Sequence, residues 1–171
     1  MKRRVDRTYL GSIVLGLNDA LVELTGALAG LTLAFQNSQI IIVSGFITGF
    51  AASLSMAASE YLSTKAEDMA KKTKVRGKRA KTAAFYTGVA YLLTVLFLLF
   101  PYLILDNVYY ALIWALINSV IVILGFTYYV SIEKGEGFWH RFIEMVLISL
   151  SVAGISFGLG WLLRVWVGVD V

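Results

Sequence analysis

Cysteine is absent from this 171-residue chain, and histidine and proline occur once each, as His140 and Pro101. Without thiols there are no disulfides and no thiolate metal sites. A single histidine cannot furnish a multi-histidine metal centre within one chain. Neither a phosphate-binding glycine loop nor a nucleophile elbow occurs. The glycines fall inside apolar stretches instead, where they read as packing positions. No enzymatic activity is expected from such a chain.

Apolar surface is what the chain has in excess. Hydrophobic residues make up 58% of it and the mean hydropathy is +0.76. A soluble domain runs nearer ~45–50% apolar, and the surplus here is gathered in long runs. A single domain in lipid is the natural reading, since a span needs about 20 mostly apolar residues. Five stretches meet that requirement, at residues 13–35, 40–62, 82–105, 108–131 and 138–164. They do not alternate as membrane strands do. The expected fold is therefore an all-α integral membrane bundle of five helices, one domain over residues 1–171, with a basic connection at 63–81. The apolar stretch after Met1–Arg7 is too long for a signal peptide and lacks a small-residue cleavage site, so it reads as a retained first helix.

The net charge of +4 is explained by topology, with no need of a nucleic-acid partner. Lys2, Arg3, Arg4 and Arg7 precede the first span. Lys65, Lys71, Lys72, Lys74, Arg76, Lys78, Arg79 and Lys81 lie between the second and third. Lys134 and Arg141 flank the fourth link, and of the 15 basic residues only Arg164 falls on the other side. Basic residues are retained in the cytoplasm, so the N-terminus is expected inside and the C-terminus outside. Glu60, Glu67, Asp68, Lys71 and Lys72 suit a solvated extension of the second helix, with opposite charges four residues apart. The basic run after it suits an anionic lipid surface.

Ionisable groups inside a span cost about 2.5–3.5 kcal/mol each and mark function. Asp19 and Glu23 stand four residues apart on the first helix, hence on one face. Gly16, Gly26 and Gly30 lie close to that stripe. On the second helix Gly45 and Gly49 begin a stripe that continues through Ala52, Ser53, Met56 and Glu60. Such small-residue faces let helices approach closely in lipid, and they are expected to pack helices and to carry association into a homodimer. Glu144 and Met145 lie inside the fifth span and Asn118 near the middle of the fourth, where an interhelical hydrogen bond is its ordinary role. By the 1.5 Å rise per residue, Asp19, Met56 and Glu144 each lie about 9 Å from the inner end of their helix. Glu23 lies deeper, and Glu60 sits at the cytoplasmic mouth. No lysine or arginine falls in the interior of a span, which leaves a cation or a proton to compensate the carboxylates. A thioether beside carboxylates disfavours magnesium and calcium and suits late first-row metals. The candidate ion pathway is thus Asp19, Glu23, Met56, Glu60 and Glu144, with Glu67 and Asp68 as a possible cytoplasmic capture site.

Two segments carry a family resemblance. Asn18-Asp19-Ala20-Leu21-Val22 and Ser53-Leu54-Ser55-Met56-Ala57-Ala58-Ser59-Glu60-Tyr61-Leu62 resemble the first- and second-helix motifs of the vacuolar iron transporter family, as does the continuation Lys65-Ala66-Glu67. The resemblance implies a homodimer that exports Fe²⁺, and often Mn²⁺, from the cytoplasm in exchange for protons, along a route between two subunits. Asp19 and Met56 match the aspartate and methionine that act in translocation. The metal is then substrate, with no permanently bound cofactor, and the protein is a multi-pass membrane protein, of the cell membrane if prokaryotic. Three departures stand out. Ala20 replaces the usual glycine, and Thr48 replaces a glutamate that some members carry eight residues before the methionine. The large cytoplasmic metal-binding domain of longer members is missing between the second and third helices. A non-transporting membrane scaffold, with the acidic residues used for assembly, is the alternative reading. Reporters fused at Gly77 and Val171 test the topology. Gly77 should report from the cytoplasm and Val171 from outside, and the reverse pattern would refute the expected orientation.

Overall fold

The computed structural model describes residues 2–70, 77–134 and 137–168, and among these there is no strand. The helices are α1 (Lys2–Phe35), α2 (Ser38–Ala70), α3 (Lys78–Ile104), α4 (Val108–Lys134) and α5 (Phe138–Val167). All five are long and apolar enough to cross a membrane. Only helices satisfy every backbone group within their own segment, which lipid demands. The spans match the sequence expectation at the end carrying the two short turns. At the basic end α1 begins at Lys2 rather than residue 13, and α2 runs past 62 to Ala70, the extension that its opposite charges four residues apart suggest. Hydropathy marks where the hydrocarbon ends, whereas the helix continues into water on polar residues.

Asparagines make the short turns. Asn37 Oδ1 accepts the backbone N–H groups of Gln39 (3.0 Å) and Ile40 (3.1 Å) at the start of α2. Asn107 Oδ1 does the same for Tyr109 (3.0 Å) and Tyr110 (3.3 Å) at the start of α4. Each cap satisfies donors that a helix N-terminus leaves unpaired. Cross-links tie the same end together: the Thr32 and Tyr102 hydroxyls share a hydrogen bond at 2.7 Å, and Ser38 Oγ donates to the Tyr102 carbonyl at 2.9 Å.

α1 is the hub, in contact with each of the other four helices. α2, α3, α4 and α5 follow one another around it, and α2 and α5 stand apart, so the ring is open on one side. Leu21, Leu24 and Leu28 of α1, Tyr91, Val95 and Leu98 of α3, and Ala111, Ala115 and Ile123 of α4 form the buried core. In lipid, apolar burial gives no drive to associate, so close packing and hydrogen bonds hold helices together. Glycines supply that closeness. A Cβ on Gly160 of α5 would run into the backbone oxygen of Gly30, and one on Gly26 would come within 2.7 Å of Val152 Cγ1. On α2, a Cβ on Gly49 would meet Val95 Cγ1 at 2.6 Å, and one on Gly45 would meet Leu99 Cδ2 at 2.9 Å. The helix packing expected of these glycines is therefore found within the chain, Gly26 and Gly30 against α5 and Gly45 and Gly49 against α3.

Asn118 makes its interhelical bond for a specific reason. Pro101 has no N–H to give to the carbonyl four residues back, which is that of Phe97. Asn118 of α4 is buried, and its Nδ2 donates to the Phe97 oxygen at 3.4 Å. Asn118→Leu should therefore lower the Tm in detergent, with a loss of stability of about 1–3 kcal/mol for the stranded carbonyl. In a Pro101→Ala background, where the helix can satisfy Phe97 itself, the same substitution should cost clearly less. Equal losses in the two backgrounds would refute the link.

Candidate functional site: an acidic face of α1

The opening between α2 and α5 exposes part of α1. On α1, Asp19 is half-buried and Glu23, one turn on, is exposed. Glu23 has one fixed contact: the Tyr91 hydroxyl of α3 donates to its Oε2 at 2.8 Å. Tyr91 itself is buried in the core. The α2 flank of the opening differs from ordinary lipid-facing surface. On α2, Val43, Ile47, Phe50 and Leu54 form an exposed bulky face, while Thr48, Ala51, Ser55, Ala58 and Ser59 form an exposed small and hydroxyl-bearing one. Thr48 of that second face opens onto a groove of about 460 Å³ just beyond Glu23, together with Gly26 and Gly30 of α1 and Ser156, Gly160 and Arg164 of α5.

Contacts between helices fix the axial register. Ser12 Oγ of α1 donates to Glu60 Oε1 of α2 at 2.6 Å. Sixteen residues along α1, Leu28 approaches the Cβ position of Gly45. Interpolating between these along antiparallel helices puts Met56 opposite about residue 16 and Thr48 opposite about residue 25. On the other side, Ser149 Oγ of α5 donates to the Leu21 carbonyl at 3.3 Å. By the same arithmetic Glu144 lies level with about residue 16. Asp19, Met56 and Glu144 therefore lie within about one turn of one another along the membrane normal.

Depth is not proximity, and the structure does not gather these groups in one cluster. Met56 is half-buried and packs on the hydrophobic core. Glu144 is exposed on α5, beside His140, Arg141 and Ile148, away from the Ser149, Ala153 and Gly160 side that meets α1. Glu60 closes the basic end of the acidic face, held by Ser12 and, at 3.5 Å, by Thr64. Thr87 Oγ1 of α3 in turn donates to the Ser12 carbonyl at 3.0 Å. Glu67 and Asp68 meet a cation of the chain itself. Arg79 at the start of α3 donates to Asp68 Oδ1 at 2.8 Å and lies 3.8 Å from Glu67. Asp68 is buried, and its Oδ2 has no hydrogen-bond partner among the described residues.

Nowhere among the described residues do three histidine or carboxylate side chains converge as a metal-holding group. Glu60, Asp19 and Glu23 instead form an open line of carboxylates along one side of α1. Tyr91, Ser12 and the hydroxyls of Ser55 and Ser59 went unassigned in the sequence reading. Tyr91 carries no sequence signal beyond being a phenol in the interior of a span.

The VIT family model matches this chain over two overlapping segments, residues 10–82 and 69–161. The chain belongs to the VIT family. Together the segments take in almost the whole bundle, and their overlap falls on the α2–α3 junction. VIT membership and five membrane-capable helices make this a multi-pass membrane protein of a metal-ion transport family, one of transporters and not of enzymes. No curated protein matches the chain in sequence.

The Asp68–Arg79 pair gives a local test. Arg79→Ala would leave a buried carboxylate without its cation, and breaking a buried pair in that way costs about 3–5 kcal/mol. The Tm in detergent should fall, and adding Asp68→Asn should recover part of the loss. A double variant no more stable than Arg79→Ala would show that the pair carries no such strain.

Proposed function

We propose that this protein exports Fe²⁺, and Mn²⁺ as a second substrate, from the cytoplasm in exchange for protons, and that it works as a homodimer. One observation carries the proposal. Glu23 is exposed in the interior of a span, on a face of α1 that the chain leaves uncovered. A charge facing lipid there would cost about 2.5–3.5 kcal/mol, and no lysine or arginine occurs between residues 8 and 64 to offset it. A second copy placed over the opening between α2 and α5 removes that face from lipid and makes an enclosed path. The small polar side of α2 suits such a path better than it suits acyl chains.

The basic residues put Glu60 at the cytoplasmic mouth. A hydrated cation meets Glu60 first, then Asp19 and Met56 at one depth, then Glu23, and leaves along the groove beside Thr48. Glu144, level with Asp19, adds negative charge to the same layer. Each carboxylate must be deprotonated to bind metal, so protons and metal compete for the same oxygens. That competition is the minimum chemistry of exchange. The Met56 thioether biases the path toward late first-row metals. Cytoplasmic capture falls mainly on Glu60, because Asp68 is already engaged by Arg79.

Flux of Fe²⁺ and Mn²⁺ into proteoliposomes under an imposed pH gradient tests this. Asp19→Asn is nearly isosteric and should reduce flux at least about tenfold, the low end of the loss when a group that orients or binds a metal is removed. Met56→Leu keeps the volume and should erode discrimination against Ca²⁺ more than it lowers Fe²⁺ flux. Wild-type flux in Asp19→Asn, or none in the wild type, would move the non-transporting scaffold ahead.

A further inference from the structure

Glu23 accepts one hydrogen bond, and its donor comes from a different helix. We infer that Tyr91 is a positioning residue for the ion path: its phenol holds the Glu23 carboxylate by Oε2 and so presents Oε1 to a passing divalent cation. The inference rests on the proposed transport function and adds to it a residue on α3, a helix to which the sequence assigns no functional group.

The geometry is specific. Tyr91 is 1% exposed and belongs to the core formed with Leu24, Val95 and Leu98, so its ring cannot swing away. Its hydroxyl reaches the edge of that core at the point where α1 is uncovered, 2.8 Å from Glu23 Oε2. No described residue donates to Oε1. A glutamate has three rotatable side-chain bonds, and leaving it free in an open groove would oblige each arriving cation to order it. A phenol anchored in the core removes that cost before the cation arrives.

Other charges near Glu23 are few. On α1 the neighbour is Asp19, one turn back. The sequence has no charged residue between Ser38 and Ser59 on α2, between Thr82 and Ile104 on α3, between Val108 and Ile132 on α4, or between Met145 and Leu163 on α5. Tyr91 is therefore the one polar group given to Glu23 across a helix interface among the described residues. Tyr102 makes a useful contrast. It is as deeply buried and on the same helix, but its hydroxyl bonds to neutral Thr32, away from the carboxylates.

The test is Mn²⁺ flux against Mn²⁺ concentration, with the full chain in proteoliposomes. Tyr91→Phe removes one oxygen and should raise the apparent KM about tenfold, the size of one charge-assisted hydrogen bond, with kcat within about twofold. Tyr102→Phe should leave both constants unchanged. In a Glu23→Gln background, adding Tyr91→Phe should change the KM less than about twofold, because residues acting through one contact are not additive. Glu23→Asp, which withdraws the carboxylate from the phenol, should reproduce the KM rise and keeps the test open if Tyr91→Phe does not fold. The inference is overturned if Tyr91→Phe and Glu23→Asp both keep a normal KM while Glu23→Gln is impaired. It is also overturned if Tyr91→Phe acts equally with and without Glu23, which would be a structural effect alone. A silent wild type, or an unaffected Asp19→Asn, would sink the transport function itself, which is a different result.

Discussion

Four helices must reach α1, and in lipid they can be held there only by close contact. Water drives apolar surfaces together in a soluble core, but lipid tails are as apolar as leucine and supply no such force. Closeness has to come from small residues, and α1 spends its glycines on it. Gly16 lies against the backbone of Thr87 on α3, and Gly30 lies against Gly160 on α5. These two seams set where α3 and α5 stand, and so set the width of the opening between α2 and α5. The placement of Tyr91, the exposure of Glu23 and the groove beside Thr48 all follow from that spacing.

The opening is where stability and function pull apart. A bundle built only for packing would carry leucine at residues 19 and 23 and cover them. Here the carboxylates lie on the uncovered side, bounded by a hydroxyl-bearing strip of α2 and by the groove that ends at Arg164. Polar groups at both ends are tied down: Glu60 by Ser12 at one, Thr32 by Tyr102 at the other. A frame tied at both ends keeps the carboxylates between them at fixed depths, which suits the proposed passage of an ion.

Much of this was legible in the residues, and the parts that were not have physical reasons. The five spans follow from run length, because hydrocarbon thickness is a hard limit. Helix ends in water were not fixed that way, so eleven residues of α1 lay beyond the expected bounds, whereas the continuation of α2 to Ala70 was signalled by its opposite charges. The bond of Asn118 was expected, but its partner was not, because that requires knowing which carbonyl Pro101 orphans across the interface. The depth of Asp19, Met56 and Glu144 could be estimated from rise per residue, whereas the direction each side chain faces could not. Glycines announced close packing without naming the partner, which only the meeting of α1 with α5 and of α2 with α3 supplies. Tyr91 is one of nine tyrosines, and nothing in its neighbourhood marks it; only the meeting of α3 with α1 does.

The seam at Gly30 and Gly160 also has a history within each molecule's synthesis. Chains are made from the N-terminus, so α1 enters the membrane first and α5 last. Contacts of α1 with α3, through Gly16 and Thr87 and through Thr32 and Tyr102, can form while α5 is still being made. During that interval the Gly26–Gly30 notch has lipid for a neighbour, and α5 must displace it on arrival. The glycine seam between α1 and α5 is thus the last to form. A bulky residue at position 30 or 160 would not prevent the first four helices from assembling. It would leave them waiting for a fifth that cannot dock, which is a state that cellular quality control meets as a nearly finished protein.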